Sequence, residues 1–419
     1  MKVVTLTSEQ FDKFAHSHRY RNYYQTSEYG TLMTKYGYNI HYLGIVSDTN
    51  KLIGATLLLY KQVFMSNKIA YAPRGILYNY ENLEDLEEVM KKIKQVLGKQ
   101  GFMLLRMDPY IPLTIRDSQG NMMNFNNQGN KIIENLKEVG FNYKGKNKFF
   151  EGEKPRWEAL VLLGDKPQAL FQKCDKRTRN KIRRATNFGV EAYRDNTNNI
   201  DKFFEFVKKE RRKTKDYYKN LLNIYGESAE VYYAKINTET YTVNSRRAYE
   251  KELETNNVLA GMIQDYSLDH KQKENALNKK MESDKLLDTY KTSLVHATEL
   301  LKKYPNGLVI GSALVIKFDN AAYIIAEGTH PKFKNLNSDY VIKWKMIEDY
   351  TEENLKYLNL EGIAGEFEKD HPYKHLNETK LGFNTTVSEY IGEFDIVLNN
   401  FSYNLYKSFV KNKNKKSQE

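Results

Sequence analysis

The sequence predicts an α/β (α+β) protein built from two successive α/β units, with a helical arm inserted in the second. Three observations support this prediction. The chain of 419 residues is longer than one hydrophobic core usually supports. Helical and strand patterns alternate through residues 1–150 and again from residue 151 onward. Residues 243–304 contain no proline and a single glycine, which is typical of long helices.

The first unit covers residues 1–150. Its charged helix ends at Gly98, and the apolar strand that follows stops at Asp108-Pro109. Functional groups in α/β proteins are often found at such strand ends. The predicted elements are a helix at 8–21, strands at 42–46 and 54–60, a helix at 83–97 and a strand at 102–107.

The second unit is divided into residues 151–242 and 305–400, and strand patterns return only after Gly307. Residues 401–419 form the end of a helix and a basic tail, which we expect to be disordered from residue 411. The predicted elements of the unit are a strand at 157–163, one basic helix at 167–187, a helix from 199, strands at 308–318 and 323–326, a helix at 338–353 and a strand at 357–360.

The arm, residues 243–304, carries apolar residues at steps of three and four on both sides of a break near residues 266–270. This spacing predicts an antiparallel coiled-coil hairpin. The alternative is a pair of ordinary amphipathic helices, which usually carry more apolar residues per turn. The predicted seam consists of Tyr249, Leu253, Asn256, Ala260 and Ile263 in the first helix and Leu287, Tyr290, Leu294, Ala297 and Leu301 in the second.

Composition limits the class of partner. The formal net charge is +12 and the pI is near 9.2, which favours RNA, anionic lipid or phosphorylated substrates. No stretch approaches the roughly 20 apolar residues of a membrane span, and the start lacks a secretory leader, so we expect a cytoplasmic protein. A lone cysteine, Cys174, excludes an internal disulfide.

Residues 173–184 are densely basic on a predicted helix, so they could neutralise several phosphates in a row. We expect an RNA-binding surface here, while a solvated face that aids solubility is the alternative. The candidate residues are Lys173, Lys176, Arg177, Arg179, Lys181, Arg183 and Arg184.

Two short motifs follow predicted strands. Pro73 and Gly75 flank Arg74, whose guanidinium could be held over an anionic or carbonyl-rich substrate. Asp108 and Tyr110 follow the next strand end. Each motif could equally be a structural turn. We expect no metal site, because the histidines with zinc-like spacing near residue 372 are separated by a proline.

Together these segments resemble the FemABX family over nearly the whole chain, and most closely FemA and FemB. No single motif is highly specific, but their order together with the arm is. The motifs are Gln25-Thr26 through Lys35, residues 71–75, residues 108–112, the basic helix running into Gly189-Val190, Tyr217-Tyr218, the arm, Glu327-Gly328-Thr329 with Phe333, and residues 340–344, 362–365, 380–383 and 390–394.

The resemblance implies two GNAT-like subdomains and an aminoacyltransferase. An amine of a peptidoglycan precursor, either lipid II or UDP-MurNAc-pentapeptide, would attack the ester of aminoacyl-tRNA and form an amide of the interpeptide bridge. Aminoacyl-tRNA is then a co-substrate, and no resident cofactor is expected. Peripheral contact with the inner membrane leaflet and with related Fem proteins is also expected.

The same resemblance assigns roles to individual residues. Lys380 would stabilise the oxyanion, and Asp108 would orient the attacking amine or accept its proton. Lys35 would bind the precursor's diphosphate or carboxylate. The precursor-binding arginine is Arg212, with Arg211 and Lys213 open as alternatives. Further substrate-binding residues are Arg74, Tyr110 and Tyr217.

Two other functions compete. An acyl-CoA-dependent N-acyltransferase is the first, but the sequence lacks an obvious glycine loop that would cradle the CoA pyrophosphate. The second is a non-catalytic RNA-binding or coiled-coil protein, which leaves the matches at Lys35, Asp108 and Lys380 unexplained.

Overall fold

Two β-sheets organise the chain in this computed structural model, which describes residues 1–64, 66–197, 199–208, 213–368 and 370–416. The strands are β1 (Lys2–Thr5), β2 (Asn39–Val46), β3 (Leu52–Phe64), β4 (Asn67–Ala72), β5 (Phe102–Met107), β6 (Pro112–Arg116), β7 (Met122–Phe125), β8 (Asn142–Tyr143), β9 (Trp157–Leu162), β10 (Val190–Asp195), β11 (Ala229–Ile236), β12 (Leu308–Phe318), β13 (Ala321–Thr329), β14 (Tyr357–Gly362), β15 (Thr386–Tyr390) and β16 (Phe394–Val397). The helices are α1 (Ser8–Ser17), α2 (Ser27–Thr34), α3 (Leu83–Lys99), α4 (Asn127–Glu138), α5 (Pro167–Lys173), α6 (Lys176–Asn187), α7 (Ile200–Val207), α8 (Lys215–Tyr225), α9 (Thr238–Gln264), α10 (His270–Lys303), α11 (Ser338–Glu352), α12 (Lys374–Leu381) and α13 (Asn400–Lys416).

The two sheets exchange strands. The first has the order β1-β2-β3-β4-β5-β16-β8, and the second β10-β11-β12-β13-β14-β9-β15-β6-β7. Thus β6 and β7 leave the first half of the chain to pair in the second sheet, with Thr114 opposite Glu389. In return β16 enters the first sheet, with Phe394 opposite Met107. The sheets therefore do not divide the chain at residue 150, where the sequence places the boundary between units.

A shared hydrophobic core holds the two sheets together. Helices α1 and α2 and strand β3 bury apolar side chains against α7, α8, β11 and β12. Burial of each large apolar side chain contributes about 1.5–3 kcal/mol. Fully buried members of this core include Phe11, Leu32, Leu57, Phe203, Tyr233 and Leu314.

The single basic helix predicted at 167–187 is wrong, because the segment forms two helices. α5 ends at Lys173, Cys174 is extended with ψ 150°, and α6 begins after Asp175. The Asp175 side chain accepts a hydrogen bond from the Thr178 N–H, which is the usual N-cap arrangement. The basic pattern continues across this cap, so composition alone did not reveal the break.

The prediction that strands return only after Gly307 is also wrong, since β10 and β11 precede the arm. β11 lies between β10 and β12, and nearly all of its residues are buried. A strand buried on both faces shows no alternation of polar and apolar residues, which explains why it was missed.

The C-terminal tail differs from its prediction as well. α13 continues to Lys416, whereas disorder was expected from residue 411. Residues 417–419 lie outside the described residues.

The arm consists of α9 and α10, which pack against each other as an antiparallel pair. The break between them lies where the sequence predicted it. The seam is displaced in part: Leu253 is exposed, and Leu259 and Leu300 are buried instead of Ala260 and Leu301. Buried polar residues occupy its middle, where Asn256 donates to Ser283 at 3.2 Å and to Asp284 at 2.7 Å. A buried asparagine of this kind fixes the register of a helix pair.

Candidate active site

A buried arginine joins the two sheets. Arg74 follows β4 in a left-handed conformation, with φ 59°, and its N–H donates to Asp108 Oδ1 at 2.9 Å. Its guanidinium donates to Asp108 Oδ2 at 3.4 Å and to Glu158 Oε1. Arg74 and Glu158 are each 2% exposed and Asp108 is 6% exposed. One cation therefore lies between two carboxylates in a site with little water.

The local fold explains why Arg74 and Asp108 meet. β4 and β5 are parallel neighbours, so the residues after them leave the sheet at the same edge. Gly75 has φ 87°, and a Cβ on it would lie 2.7 Å from Pro109 Cα. Only glycine therefore allows the two strand-end turns to approach so closely.

Aromatic rings surround the guanidinium. Tyr110 and Tyr390 are stacked with centroids 4.5 Å apart, and each centroid lies 5.1 Å from Arg74 Cζ. Both hydroxyls donate to Glu158 Oε2, from 3.1 Å for Tyr110 and 3.0 Å for Tyr390. The amide of Asn359 donates to the same oxygen at 2.8 Å. These hydrogen bonds satisfy a carboxylate that burial would otherwise make costly.

Asp108 accepts hydrogen bonds from Tyr71 and Arg74. Burial raises the pKa of its carboxyl, while the Arg74 charge and the hydrogen bonds from Tyr71 and the Arg74 N–H oppose that rise. The Tyr71 hydroxyl donates at 2.8 Å. These contacts are those of a carboxylate that positions its neighbours.

Lys380 lies near the end of α12 and is 7% exposed. Its Nζ donates to the Gly362 carbonyl at 2.8 Å. Burial lowers the pKa of the Lys380 ammonium to about 8. The negative charge of Glu327 opposes this fall, and the positive charge of Lys343 adds to it. A side chain that would ordinarily be solvated is thus a buried ammonium close to titrating at neutral pH.

The basic helix α6 packs directly on the Lys380 segment. The Asp175 N–H donates to the Gly382 carbonyl at 2.9 Å. A Cβ on Gly382 would collide with the Thr178 hydroxyl, so glycine is required for this contact. A candidate RNA surface and the candidate catalytic lysine therefore lie side by side.

Cavities open on both sides of α12. One of about 720 Å³ is lined by Glu327, Tyr340 and Thr379, among others. Another of about 400 Å³ is lined by Arg177, Lys181, Gly382 and neighbouring residues. Both reach residues adjacent to Lys380.

The predicted RNA-binding residues divide by their contacts. Lys176, Arg177, Arg183 and Arg184 are exposed. The other three are engaged within the protein: Lys173 pairs with Asp165 at 2.6 Å, Arg179 donates to the Gln172 carbonyl at 2.8 Å, and Lys181 donates to the Tyr340 hydroxyl at 2.7 Å. The opposite face of α6, formed by Thr178, Ile182 and Ala185, is buried.

A second group of predicted residues lies where α2 packs on α8. Lys35 is exposed at the end of α2, and the next residue, Tyr36, contacts the buried Tyr217 with ring centroids 5.1 Å apart. Lys213 Nζ lies 4.6 Å from the centroid of the Tyr217 ring. Arg211 and Arg212 lie outside the described residues.

Lysines gather near this second group. Burial lowers the pKa of Lys213, and the charges of Lys154 and Lys61 lower it further. Lys154 lies over the Tyr24 ring at 3.8 Å, and burial lowers its pKa to about 8. Ammonium groups held together in this way form a favourable position for an anion.

Sequence reasoning missed several polar residues of the site, among them Glu158, Glu361, Asn359 and Lys154. Glu158 had a signal, because it is a lone carboxylate in the apolar strand β9. Glu361 had none, because its position depends on a left-handed backbone with φ 64°.

Membrane spans and metal sites are two further possibilities. Among the helices of the described ranges, none is both long and apolar enough to cross a lipid bilayer. Within the same part of the chain, no three or more His, Cys, Asp or Glu side chains are grouped as a metal site.

The fold has a known counterpart over nearly its whole length. The crystal structure of FemX aligns with a TM-score of 0.72 at 20% sequence identity, covering 97% of this chain and 99% of FemX. This likeness confirms the predicted fold class, an α/β (α+β) protein built from two α/β units.

The family follows from the sequence. The FemAB family model matches residues 6–411, and the chain belongs to the FemAB family. Aminoacyltransferase FemA of Staphylococcus epidermidis is 25% identical over 426 residues, covering 98% of this chain and 99% of the relative. FemA of Staphylococcus aureus is 25% identical over 424 residues, covering 99% and 100%. The predicted resemblance is confirmed, and the chain is an aminoacyltransferase.

Replacing Arg74 by Met should destabilise the protein by about 3–5 kcal/mol, because it leaves two buried carboxylates without their cation. Arg19→Met is the matched control, since the Arg19–Glu81 pair is solvent-accessible and should contribute about 1 kcal/mol or less. Urea unfolding followed by circular dichroism measures both. Equal, small losses of stability would show that the buried pair is not a structural element of the site.

Proposed function

We propose that this aminoacyltransferase moves an amino acid from aminoacyl-tRNA to the stem-peptide or bridge amine of a peptidoglycan precursor, either lipid II or UDP-MurNAc-pentapeptide. The observation that carries the proposal is the buried Lys380 ammonium. It lies between the basic face of α6 and the Arg74 cluster, which consists of Arg74, Asp108 and Glu158. Relatives named aminoacyltransferase FemA support the reaction class.

The donor side is the surface around α6 and α12. Four exposed basic residues of α6 can neutralise consecutive phosphates of an RNA strand. The cavity of about 400 Å³ connects that face, through Arg177 and Lys181, with Leu381 and Gly382, the two residues after Lys380. An aminoacylated 3′ end could therefore bind with its phosphates on α6 and its ester carbonyl near the ammonium.

The acceptor side is the region where α2 meets α8. Lys35 is an exposed cation there, and Lys213 lies close to Tyr217. A diphosphate or carboxylate would relieve the repulsion among the lysines that lowers the Lys213 pKa. The location of Lys213 thus favours it among the three candidates for the precursor-binding cation. Arg212 stays a prediction.

The chemistry requires oxyanion stabilisation and orientation. The Lys380 ammonium would stabilise the tetrahedral oxyanion, and its effect is large because the site is desolvated. Asp108, held by Arg74 and Tyr71, would orient groups at the acceptor end rather than react. Arg74 and Tyr110 would support that end through their contacts with Glu158.

The proposed reaction takes place in the cytoplasm. A lipid-linked acceptor would bring the protein to the anionic inner leaflet, to which the net charge of +12 would contribute. Other Fem proteins would act on the same bridge. An acyl-CoA-dependent transferase and a non-catalytic RNA-binding protein are the competing functions.

The direct test supplies the purified chain with charged total tRNA and, separately, lipid II and UDP-MurNAc-pentapeptide. We expect mass spectrometry to show a gain of one amino-acid residue on a precursor, which identifies donor and acceptor together. No gain on either acceptor, nor on a precursor already carrying a first bridge residue, would contradict the proposal.

Lys380→Ala should lower kcat by about 10²–10³-fold while tRNA binding is retained, because one stabilising charge at the oxyanion is lost. Lys91→Ala, at an exposed lysine of α3, should leave kcat unchanged. In the wild type, kcat should fall as the pH rises above about 8, since the acting form is the ammonium whose pKa is lowered to about 8. Wild-type turnover by the Lys380→Ala variant would refute the role.

Charge reversal of the α6 face should weaken tRNA binding. Arg177→Glu with Arg184→Glu should lower affinity by about tenfold or more at low salt, and should reduce the salt slope by about one for each phosphate that is no longer neutralised. Lys91→Glu with Lys99→Glu, at two exposed lysines of α3, is the control for net charge. Filter binding across a salt series measures the effect, and an equal loss of affinity in the control would mean that the attraction is not localised to α6.

A further inference from the structure

Glu361 has an unusual backbone for a residue of its type. It lies in β14 with φ 64°, in the left-handed region that favours glycine. The register between β14 and β9 shifts between Asn359 and Gly362, which marks a β-bulge. Bulges redirect side chains near active sites, and strained residues concentrate where function requires them.

The bulge is fixed by the site described above. Asn359 is fully buried, and its Oδ1 accepts a hydrogen bond from the Glu361 N–H at 2.7 Å. The Asn359 amide donates to Glu158. On the other side, Lys380 donates to the carbonyl of Gly362. Glu361 is therefore held between the Arg74 cluster and the candidate catalytic lysine.

The Glu361 carboxylate accepts fewer hydrogen bonds from the described residues than the carboxylates of Asp108 and Glu158. The Tyr23 hydroxyl donates to it at 3.5 Å, a long contact. Glu361 is half-buried, whereas Arg74, Glu158 and Lys380 are buried. Its carboxylate is therefore partly exposed and keeps acceptor capacity that the described residues do not fill.

Charged and titratable groups face Glu361 from every side. Burial and, to a smaller extent, the charge of Glu158 on β9 raise the pKa of Glu361 to about 7. The cations Arg74, Lys380 and Lys154 oppose that rise. The segment before α2 contributes the buried Tyr23 and the half-buried Tyr24, whose own pKa values are raised by burial and by the charge of Glu361.

We propose that Glu361 is the proton acceptor and donor of the transfer, an inference that rests on the proposed function. The acceptor amine, entering unprotonated, attacks the ester carbonyl of the aminoacyl group, and a C–N bond forms. Glu361 takes the N–H proton from the attacking nitrogen. As the C–O bond to the ribose breaks, Glu361 returns that proton to the leaving ribose oxygen, so protons and charges balance.

The contacts separate this role from that of Asp108. Asp108 accepts from Tyr71 and from two groups of Arg74, whereas Glu361 accepts only from Tyr23 among the described residues. A group that must exchange a proton at neutral pH needs a pKa near that pH and a free lone pair. Glu361 meets both conditions and lies near Lys380, the proposed oxyanion partner.

The test compares Glu361→Gln with the wild type under saturating aminoacyl-tRNA and precursor. We expect kcat to fall by about 10²–10⁴-fold, with the KM of each substrate changed by less than about threefold. In the wild type, kcat/KM should rise with pH through about 7, because the acting form is the carboxylate, and this limb should be absent in the variant. Glu352→Gln, at an exposed carboxylate of α11, should leave kcat and the pH dependence of kcat/KM unchanged.

A second variant separates chemistry from folding. Glycine suits the left-handed backbone, so the thermal midpoint of Glu361→Gly should equal or exceed that of the wild type. Its kcat should fall as far as that of Glu361→Gln. Added formate, a small carboxylate, should restore part of that activity and should not affect Lys380→Ala.

The outcomes are distinguishable. A wild type that transfers no amino acid would remove the proposed function and this role with it. An active wild type with Glu361→Gln within about threefold of its kcat, or with an unchanged ascending pH limb, would overturn the role of Glu361 alone.

Discussion

The contact between Arg74 and Glu158 is the interaction on which the site depends. Arg74 comes from the end of β4 in the first sheet, and Glu158 from β9 in the second. Burying either charge alone would be very costly, so the pair is tolerated only when both sheets are docked and the other donors are in place. The exchange of β6 and β16 between the sheets makes that docking part of the fold.

The same contact organises the groups to which we assign the reaction. Glu158 accepts from Asn359, and Asn359 in turn holds the bulge that carries Glu361. Lys380 closes the arrangement by donating to the residue after Glu361. A cation with a lowered pKa and a carboxylate with a raised pKa are thereby set side by side, a pairing typical of acid–base sites.

Local patterns predicted much of the fold. The strand at 102–107, the strand at 308–318 and the break in the arm lie where periodicity and turn residues placed them. β11 and the cap at Asp175 were missed for local reasons, namely burial on both faces and a basic pattern that continues across the cap. The strand exchange could not be inferred, because it depends on pairings between residues more than 250 positions apart.

The site was predictable only where a motif carried it. Arg74, Asp108 and Lys380 belong to recognisable segments, yet their burial follows from long-range packing that a single sequence does not show. Lys380 in particular has the pattern of an exposed helical lysine until α6 and β14 pack around it. Glu361 was not predicted, because its position is created by a register shift and a hydrogen bond from its own backbone to Asn359.

In the proposed reaction, both substrates react between Lys380 and Glu361. The most direct measurement is a crystal structure with a stable conjugate in which the acceptor amine is joined to an aminoacyl-adenosine mimic. We expect the oxygen that represents the oxyanion to lie within hydrogen-bond distance, about 2.6–3.2 Å, of Lys380 Nζ, and the attacking nitrogen to face the Glu361 carboxylate. A conjugate whose amine–aminoacyl junction binds elsewhere, with Lys380 still donating only to Gly362, would contradict this proposed reaction.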